Sequence, residues 1–161
     1  MERFAGFLAL SLTLLSIPID ANAESRREGR HAYLFVAPGV LAAGNFVTLE
    51  GGGGFEWISE RGLGIGVDGS WMSSPECFPC GFMTGSLDAS YHFVGRARKL
   101  APFVLGGVGC AFTFEDAVPA VSFGGGFDYW FDNRRSFRLE VRDRVYGEGV
   151  HSLGLRLGIV F

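Results

Sequence analysis

The sequence predicts an all-β fold, an eight-stranded antiparallel up-and-down β-barrel. The first observation is compositional, because 25 glycines and 16 phenylalanines in 161 residues both exceed ordinary usage. The second is that apolar residues alternate with polar or small ones over successive short segments, as in strands with two different faces. The third is the closing segment 151–161, in which the odd positions from 153 onward are all apolar: Leu153, Leu155, Leu157, Ile159 and Phe161.

The N-terminal segment predicts export. Residues 4–17 form an apolar run that follows Arg3 and precedes the small-residue sequence Ala-Asn-Ala at 21–23. These features are typical of a secretory signal peptide cleaved after Ala23, and the run is too short for a stable membrane-spanning helix. The expected divisions are a signal peptide over residues 1–23 and one mature barrel domain over residues 24–161, which opens with a charged leader at 24–30.

The first four strands are predicted from their alternation. In strand 2, Val47 and Leu49 alternate with Thr48 and Glu50, so one face is apolar and the other polar. The faces of strand 1 cannot be distinguished, because residues 33–36 are all apolar. The predicted bounds are residues 30–40, 46–58, 62–73 and 81–93, with a tight polar turn at 59–61.

The last four strands follow the same pattern. Strand 7 shows it clearly, with Leu139 and Val141 against Glu140 and Arg142. Strand 5 is apolar on both faces and cannot be oriented. In six of the eight strands the apolar face falls on odd-numbered positions. The predicted bounds are residues 101–114, 120–131, 137–146 and 151–161, with a basic turn at 95–99 and a polar turn at 132–136.

Aromatic residues indicate which face of the barrel meets lipid. Strands 2, 4, 6 and 8 each finish in aromatics on the apolar face, and an up-and-down barrel brings those four ends to one rim. Aromatics gathered at a rim are typical of a membrane-interface girdle, so the apolar face is expected to point outward into lipid. The rim that carries the chain termini and tight turns is expected to be periplasmic. The predicted girdle is Trp57, Tyr91, Phe93, Tyr129, Phe131 and Phe161.

The opposite face carries charges that are expected to pair inside the barrel. An eight-stranded barrel is just wide enough for side chains to fill it, and buried charges persist only when they are partnered. Arginine suits this role because its planar fork binds carboxylates bidentately. The alternative is a soluble barrel whose charges face water. The predicted interior ion-pair network is Glu50, Glu56, Asp68, Asp88, Asp128, Arg138, Glu140, Arg142, Arg144 and Arg156, with His92 in the same polar interior.

Asp143 is an exception to this arrangement. It lies on the apolar parity of strand 7. A charge there is costly at the middle of a membrane and much less so near its surface. We therefore expect either a position near the outer rim or a bulge that changes the parity of the strand.

The mature chain resembles the small barrels of the OmpA-like transmembrane superfamily over essentially its whole length. The resemblance rests on the sequence APFVLGGVG at 101–109, on FRLEVRD at 137–143 and on the closing strand that ends in Phe161. It implies an outer-membrane barrel with both termini in the periplasm, surrounded by outer-membrane lipid and expected to be monomeric. It also implies that the barrel-assembly machinery reads Phe161 as an insertion signal.

The cysteines predict a disulfide rather than a reactive centre. Cys77 and Cys80 form a CxxC sequence in the loop expected between strands 3 and 4. A redox role needs a helix N-terminus to activate the thiol, and two cysteines without nearby histidine make a poor zinc site. In an oxidising compartment a structural disulfide is favoured, with free thiols or metal binding as the alternatives. Cys110 is expected to be buried as a small apolar residue.

No catalytic residue, cofactor or metal site is predicted, and the net charge of −3 does not favour nucleic-acid binding. Some eight-stranded outer-membrane barrels are lipid A deacylases with an outward His and Ser, and His151-Ser152 is the nearest match here. Adjacent strand residues point to opposite faces, so this pair cannot form a nucleophile–base hydrogen bond. We expect a structural outer-membrane barrel with a plugged interior; a deacylase-like enzyme, a narrow pore and a soluble lipocalin-like barrel are the alternatives.

Overall fold

The computed structural model describes residues 29–42, 44, 46–93, 99–113, 116–131 and 135–161. The predicted signal peptide, most of the leader and most of the turns at 95–99 and 132–136 lie outside these residues. Within the described ranges no helix is long and apolar enough to cross a membrane. The strands are β1 (Gly29–Leu41), β2 (Phe46–Ile58), β3 (Leu63–Ser74), β4 (Cys77–His92), β5 (Leu100–Phe112), β6 (Ala117–Trp130), β7 (Ser136–Tyr146) and β8 (Val150–Val160).

The eight strands form one closed antiparallel barrel in sequence order, so the predicted fold is confirmed. The first and last strands close it, with Tyr33 opposite Val160 and Val40 opposite Leu153. Beyond the end of β8, Phe161 and Ala32 exchange two backbone hydrogen bonds of 2.9 Å. Every strand therefore has a partner on both sides, and the sheet has no open edge.

The predicted strand bounds hold to within about two residues except at the starts of β4 and β6, the latter at Ala117 rather than at residue 120. β2 begins and ends where predicted, whereas β4 begins at Cys77 rather than at residue 81. The predicted loop between β3 and β4 shrinks to a turn at Pro75 and Glu76. A register shift between Met72 and Ser74 lies just before this turn. Pairing with β3 thus extends the fourth strand, which its own alternation does not reveal.

The two ends of the barrel differ in what they carry. The end that holds Gly29, the turn 59–62 and Phe161 is called the terminal rim. The opposite end, with the β3–β4 turn and the 3₁₀ turn Gly147–Gly149 between β7 and β8, is called the far rim. Gly62 and Gly149 adopt φ values of 81° and 77°, which tight turns require and which glycine tolerates best.

Apolar side chains cover the outside of the barrel, and the inside is mostly polar with a smaller number of buried apolar side chains. Strands β1 and β5 are now oriented: Leu34 and Val104 are exposed outside, while Phe35 and Phe103 are buried inside. Their exterior positions are even-numbered, opposite to the other six strands. The exposed apolar residues of the exterior include Leu34, Val36, Val47, Leu49, Phe55, Leu63, Ile65, Val67, Met83, Leu87, Val104, Val108, Phe112, Val121, Phe123, Val141, Leu153, Leu155, Leu157 and Ile159.

Gly126, on the inward row of β6, tests how closely the strands and the interior side chains pack. A Cβ at this position would overlap the carbonyl oxygen of Leu139 and lie 2.8 Å from the Cα of Glu140. We expect Gly126→Ala to lower the free energy of unfolding by about 1–3 kcal/mol, because overpacking forces the neighbouring strand to shift. Urea titration measures the loss. Gly51→Ala is the control, since an added Cβ on the exterior there meets no atom within 4 Å; equal losses would contradict the prediction.

Candidate functional site

The charged interior is the candidate site of this barrel. All ten residues of the predicted network lie inside, and none is more than 7% exposed. The strand period of two places them there, since each occupies an inward position on a strand whose outward positions are apolar. They fall into two groups. The central cluster is Glu50, Asp68, Asp88, Glu140, Arg142, Arg144 and Arg156, and the terminal cluster, nearer the terminal rim, is Glu56, Asp128, Arg138 and His92.

Arg156 is the centre of the central cluster. Its two terminal nitrogens donate to Glu50 Oε1 at 2.9 Å and to Asp68 Oδ2 at 3.0 Å. Glu140 Oε1 lies 3.6 Å from the same guanidinium. The side chain is 2% exposed, so each of these contacts operates with little screening by water. Arg156 thus connects β8 to carboxylates on three other strands.

Arg142 shares two of these carboxylates, Asp68 and Glu140, and adds Asp88 to the central cluster. Its Nη1 donates to Asp68 Oδ2 and to Asp88 Oδ2, both at 2.8 Å, and its Nε donates to Glu140 Oε1 at 2.6 Å. Arg144 Nη2 lies 2.9 Å from Glu50 Oε1 as an ion pair without an aligned hydrogen bond. Two arginines share Asp68 Oδ2, which distributes one carboxylate over two guanidiniums.

The terminal cluster holds one arginine between two carboxylates. Arg138 donates through Nε and Nη2 to both oxygens of Asp128, at 2.8 and 3.0 Å, and through Nη2 to Glu56 Oε2 at 2.8 Å. His92 Nε2 lies 2.9 Å from Glu56 Oε1, and its Nδ1 lies 3.9 Å from Asp128 Oδ2. Ser90 also donates to Glu56 Oε1, at 2.5 Å. The predicted place of His92 in the polar interior agrees with these contacts.

Aromatic rings inside the barrel were missed by sequence reasoning. The guanidinium of Arg156 lies 3.9 Å from the ring centre of Phe35, and that of Arg138 lies 4.7 Å from Phe103 and 5.1 Å from Tyr33. A ring face attracts a cation, and the attraction is larger where water is excluded. These three inward rings are the reason that strands 1 and 5 read as apolar on both faces. In the sequence, the only sign of inward rings was that both faces of these strands are apolar, and this does not show which face points into the barrel.

The arrangement fills the barrel rather than opening it. Hydroxyl groups complete the network, with Ser70 donating to Glu50 Oε1 at 2.5 Å and Ser122 to Asp88 Oδ1 at 3.1 Å. A cavity beside Arg144 and Tyr146 has a volume of about 10 Å³, close to what one water molecule needs. Among the described residues, no group of three or more His, Cys, Asp or Glu side chains is arranged to hold a metal ion.

The side chains of His151 and Ser152, the nearest match to a deacylase pair in the sequence, lie on opposite sides of the barrel wall. Ser152 is 4% exposed and its hydroxyl contacts Met72 Sδ inside, at 3.9 Å. His151 is on the outside, where its Nδ1 lies 2.9 Å from Asp143 Oδ2. Asp143 is three residues from the far end of β7, and the β6–β7 and β7–β8 registers run through it without a shift. It therefore has the expected near-rim position without the bulge, and pairs with His151.

The six predicted girdle residues all lie at the terminal rim. Trp57, Tyr129 and Phe161 are 54%, 40% and 51% exposed. Two edge-to-face pairs lie at this rim on either side of β5, Tyr91 with Phe93 at 5.2 Å and Tyr129 with Phe131 at 5.8 Å between ring centres. Offset or edge-to-face packing of this kind favours a fixed ring orientation.

The cysteines are partly as predicted. Cys77 and Cys80 form a disulfide, which confirms that expectation, although both residues belong to the start of β4 rather than to a loop. Cys110 has a free thiol and is only half-buried. Its position on the exterior row of β5 with Val108 and Phe112 shows that the expected burial was wrong. Strand 5 could not be oriented from its sequence, so the side of Cys110 could not be derived.

Comparison with protein-family models gives no match, and comparison with curated proteins gives none either. Solved structures do match. The N-terminal β-barrel domain of Pseudomonas aeruginosa OprF covers 84% of this chain and 100% of its own, with a TM-score of 0.61 and 16% identity. Neisserial surface protein A (NspA) covers 81% and 94%, with a TM-score of 0.65 and 13% identity. The outer membrane protein OprG from Pseudomonas aeruginosa covers 87% and 99%, with a TM-score of 0.58 and 10% identity. At these identities the likeness shows the fold: this chain is a small eight-stranded β-barrel of the kind found in these proteins.

Proposed function

We propose that this chain is a structural outer-membrane β-barrel protein with a closed, charge-paired interior, which contributes to envelope integrity or surface interaction without catalysis. The observation that carries the proposal is the distribution of side chains across the barrel wall. Leu155 and Leu157 are exposed outside, whereas Arg138, Arg142 and Arg156 are buried inside. This is the reverse of a water-soluble protein, and it suits a solvent that is itself apolar.

The dimensions of the barrel support a membrane position. β8 has 11 residues, and at about 3.3 Å per residue and a tilt of about 45° such a strand rises roughly 25 Å. That is the height of the apolar band on outer-membrane barrels. The aromatic residues of the terminal rim mark one edge of this band, as rings do where hydrocarbon gives way to headgroups.

The soluble lipocalin-like alternative is disfavoured by the same distribution. It needs an apolar interior and a polar exterior, but Glu140 and Arg156 are buried at the centre and Phe55 is 68% exposed outside. Apolar patches larger than a few hundred Å² are rare on soluble monomers. The exterior apolar residues of this barrel form a continuous surface around all eight strands.

The packed interior favours a structural role over a pore. Arg142 and Arg156 bridge carboxylates of β2, β3 and β4 at 2.8–3.0 Å, so a conducting path would have to pass through a tightly paired cluster of side chains. The deacylase-like alternative lacks support at His151-Ser152, whose side chains lie on opposite sides of the wall. The exterior pair of His151 and Asp143 is therefore not joined by Ser152.

The proposal includes a location and partners. One structural neighbour, OprG, is described as an outer membrane protein, and this chain shares its fold. We infer export by the signal peptide at 1–23, a monomer surrounded by outer-membrane lipid, and a periplasmic terminal rim. Phe161, exposed at that rim and fixed to Ala32 by its backbone, would be the residue read by the barrel-assembly machinery during insertion.

Cell fractionation and gel mobility test the proposal. We expect the protein in the outer-membrane fraction and a faster-migrating band without boiling, because a closed hydrogen-bonded barrel resists detergent until it is heated. The boiled sample is the control. In planar bilayers the conductance should not exceed that of a protein-free bilayer. Recovery of folded protein in detergent-free buffer would contradict the membrane assignment, and steady channel openings would contradict the closed interior.

A further inference from the structure

Exposed charges are distributed unequally between the two rims. At the terminal rim the described residues include four exposed basic side chains and one exposed acidic side chain, Glu60. At the far rim the exposed charged side chains of known placement include the acids Glu76 and Asp116, and no exposed Lys or Arg occurs among the described residues there. The four basic residues of the terminal rim, called the basic ring, are Arg30, Arg61, Lys99 and Arg135.

The basic ring is spread around the whole circumference of the barrel. Arg30 is on β1, Arg61 is in the β2–β3 turn, Lys99 lies just before β5 and Arg135 just before β7. Among the described residues, β1, the β2–β3 turn and the segments just before β5 and β7 thus each contribute one exposed cation to the rim. Four cations spaced in this way do not converge on a single small anion, but they match a surface that carries many separate negative charges.

The basic ring is attached to the aromatic girdle. The carbonyl oxygen of Arg135 accepts a hydrogen bond from the backbone N of the girdle residue Phe131 at 3.0 Å. That of Lys99 accepts one at 2.7 Å from the backbone N of Trp130, whose own side chain is buried but which lies between the girdle residues Tyr129 and Phe131 in the chain. Arg30 is the cross-strand partner of Trp57. Girdle rings lie at the level of lipid headgroups, so long basic side chains beside them reach the phosphate layer.

We propose that the basic ring binds the headgroups of anionic phospholipids in the leaflet that surrounds the terminal rim. This inference rests on the proposed function, since it needs a barrel inserted in a bilayer. Guanidinium groups bind phosphate bidentately, and each Lys or Arg near an anionic membrane surface adds a favourable attraction. The exposed acids of the far rim provide no such attraction. Anionic headgroups are therefore expected to bind around the terminal rim and not around the far rim.

Selectivity for spin-labelled lipids tests the proposal. The full barrel is folded into phosphatidylcholine vesicles, and electron spin resonance compares spin-labelled phosphatidylglycerol with spin-labelled phosphatidylcholine at the protein surface. We expect phosphatidylglycerol to be enriched about fivefold, the effect of roughly one cation per headgroup. The preference should fall towards one when the salt concentration is raised to about 1 M, because salt screens exposed charges.

Variants assign the preference to the basic ring. Changing Arg30, Arg61, Lys99 and Arg135 together to Gln should remove most of it, whereas changing the three arginines to Lys should retain it. Glu76→Gln with Asp116→Asn, at the far rim, should leave it in place. If the fourfold variant does not fold, the variant that keeps Arg135 and changes the other three to Gln should still lose most of the preference.

The outcomes separate this proposal from the membrane assignment. If the wild-type barrel inserts, as its heat-modifiable mobility would report, but does not prefer phosphatidylglycerol, the headgroup proposal is wrong and the membrane assignment stands. A preference that survives in the fourfold variant also overturns the headgroup proposal. If the wild-type protein does not insert in any vesicle, both proposals are wrong. If the basic ring binds an acidic protein or polymer instead of lipid headgroups, the wild-type barrel would insert but show no preference for phosphatidylglycerol.

Discussion

Replacing Arg156 with methionine is expected to lower the free energy of unfolding by about 3–5 kcal/mol, the loss typical of breaking a buried ion pair from one side. Methionine keeps most of the length of the side chain but removes the charge that Glu50 and Asp68 face at 2.9 and 3.0 Å. Those carboxylates would remain buried with only Arg142 and Arg144 to offset them. Urea titration of the barrel in phosphatidylcholine vesicles, followed by tryptophan fluorescence, measures the change.

Two further variants make this prediction specific. Arg61→Met removes an exposed arginine of the β2–β3 turn, and we expect a change of at most about 0.5 kcal/mol. Adding Glu50→Gln to Arg156→Met should restore part of the loss, because it neutralises one of the stranded carboxylates. If Arg156→Met costs no more than Arg61→Met, the central cluster does not stabilise the fold as described.

Placing a charge at mid-height on the outside gives the second large effect. Leu155 is at the middle of β8, 40% exposed, and faces away from the interior. In a bilayer we expect Leu155→Arg to cost about 2–4 kcal/mol of folding free energy, because hydrocarbon cannot solvate the guanidinium. Unfolding of the variant and the wild-type barrel in the same vesicles measures the difference.

The matched control is the same change at the edge of the apolar exterior. Leu63 is the first residue of β3 at the terminal rim and is 57% exposed. We expect Leu63→Arg to cost only about 0–1 kcal/mol, since the charge lies near the interface. A soluble barrel would tolerate both changes within about 0.5 kcal/mol. Equal, small effects at the two positions would therefore contradict the membrane assignment.

Alternation along single strands predicted much of this fold. Strand 7 is the clearest case, because Arg138, Glu140 and Arg142 alternate with apolar residues and all three are buried as a group. Charged residues at every second position all point to the same face of the strand, and in a barrel with an apolar exterior that face is the interior. Strands 1 and 5 could not be assigned in this way. Their inward rings, such as Phe35, are stabilised by guanidinium groups of strands that are far away in the sequence. Alternation within a single strand carries no information about such contacts.

The partners within the interior also lay beyond the reach of the sequence. Glu50 and Arg156 are 106 residues apart along the chain and meet only because β8 returns to close the barrel. The residue types and their inward direction were predictable, but which carboxylate binds which arginine depends on the register of all eight strands. The same dependence explains why the start of β4 at Cys77 was missed.

The backbone contact between Ala32 and Phe161 has a consequence for how the chain folds. Pairing β1 with β8 joins the two ends of the barrel domain, so it closes the longest loop in the fold and has the largest cost in conformational entropy. This cost is offset only when the strands between them are already aligned. Until β1 and β8 pair, both are edge strands with unpaired backbone amides and carbonyls, which can form hydrogen bonds with a second copy of the chain. Deleting β8 would leave β7 and β1 permanently without a partner on one side. Such a truncated chain should form intermolecular aggregates rather than a seven-stranded barrel.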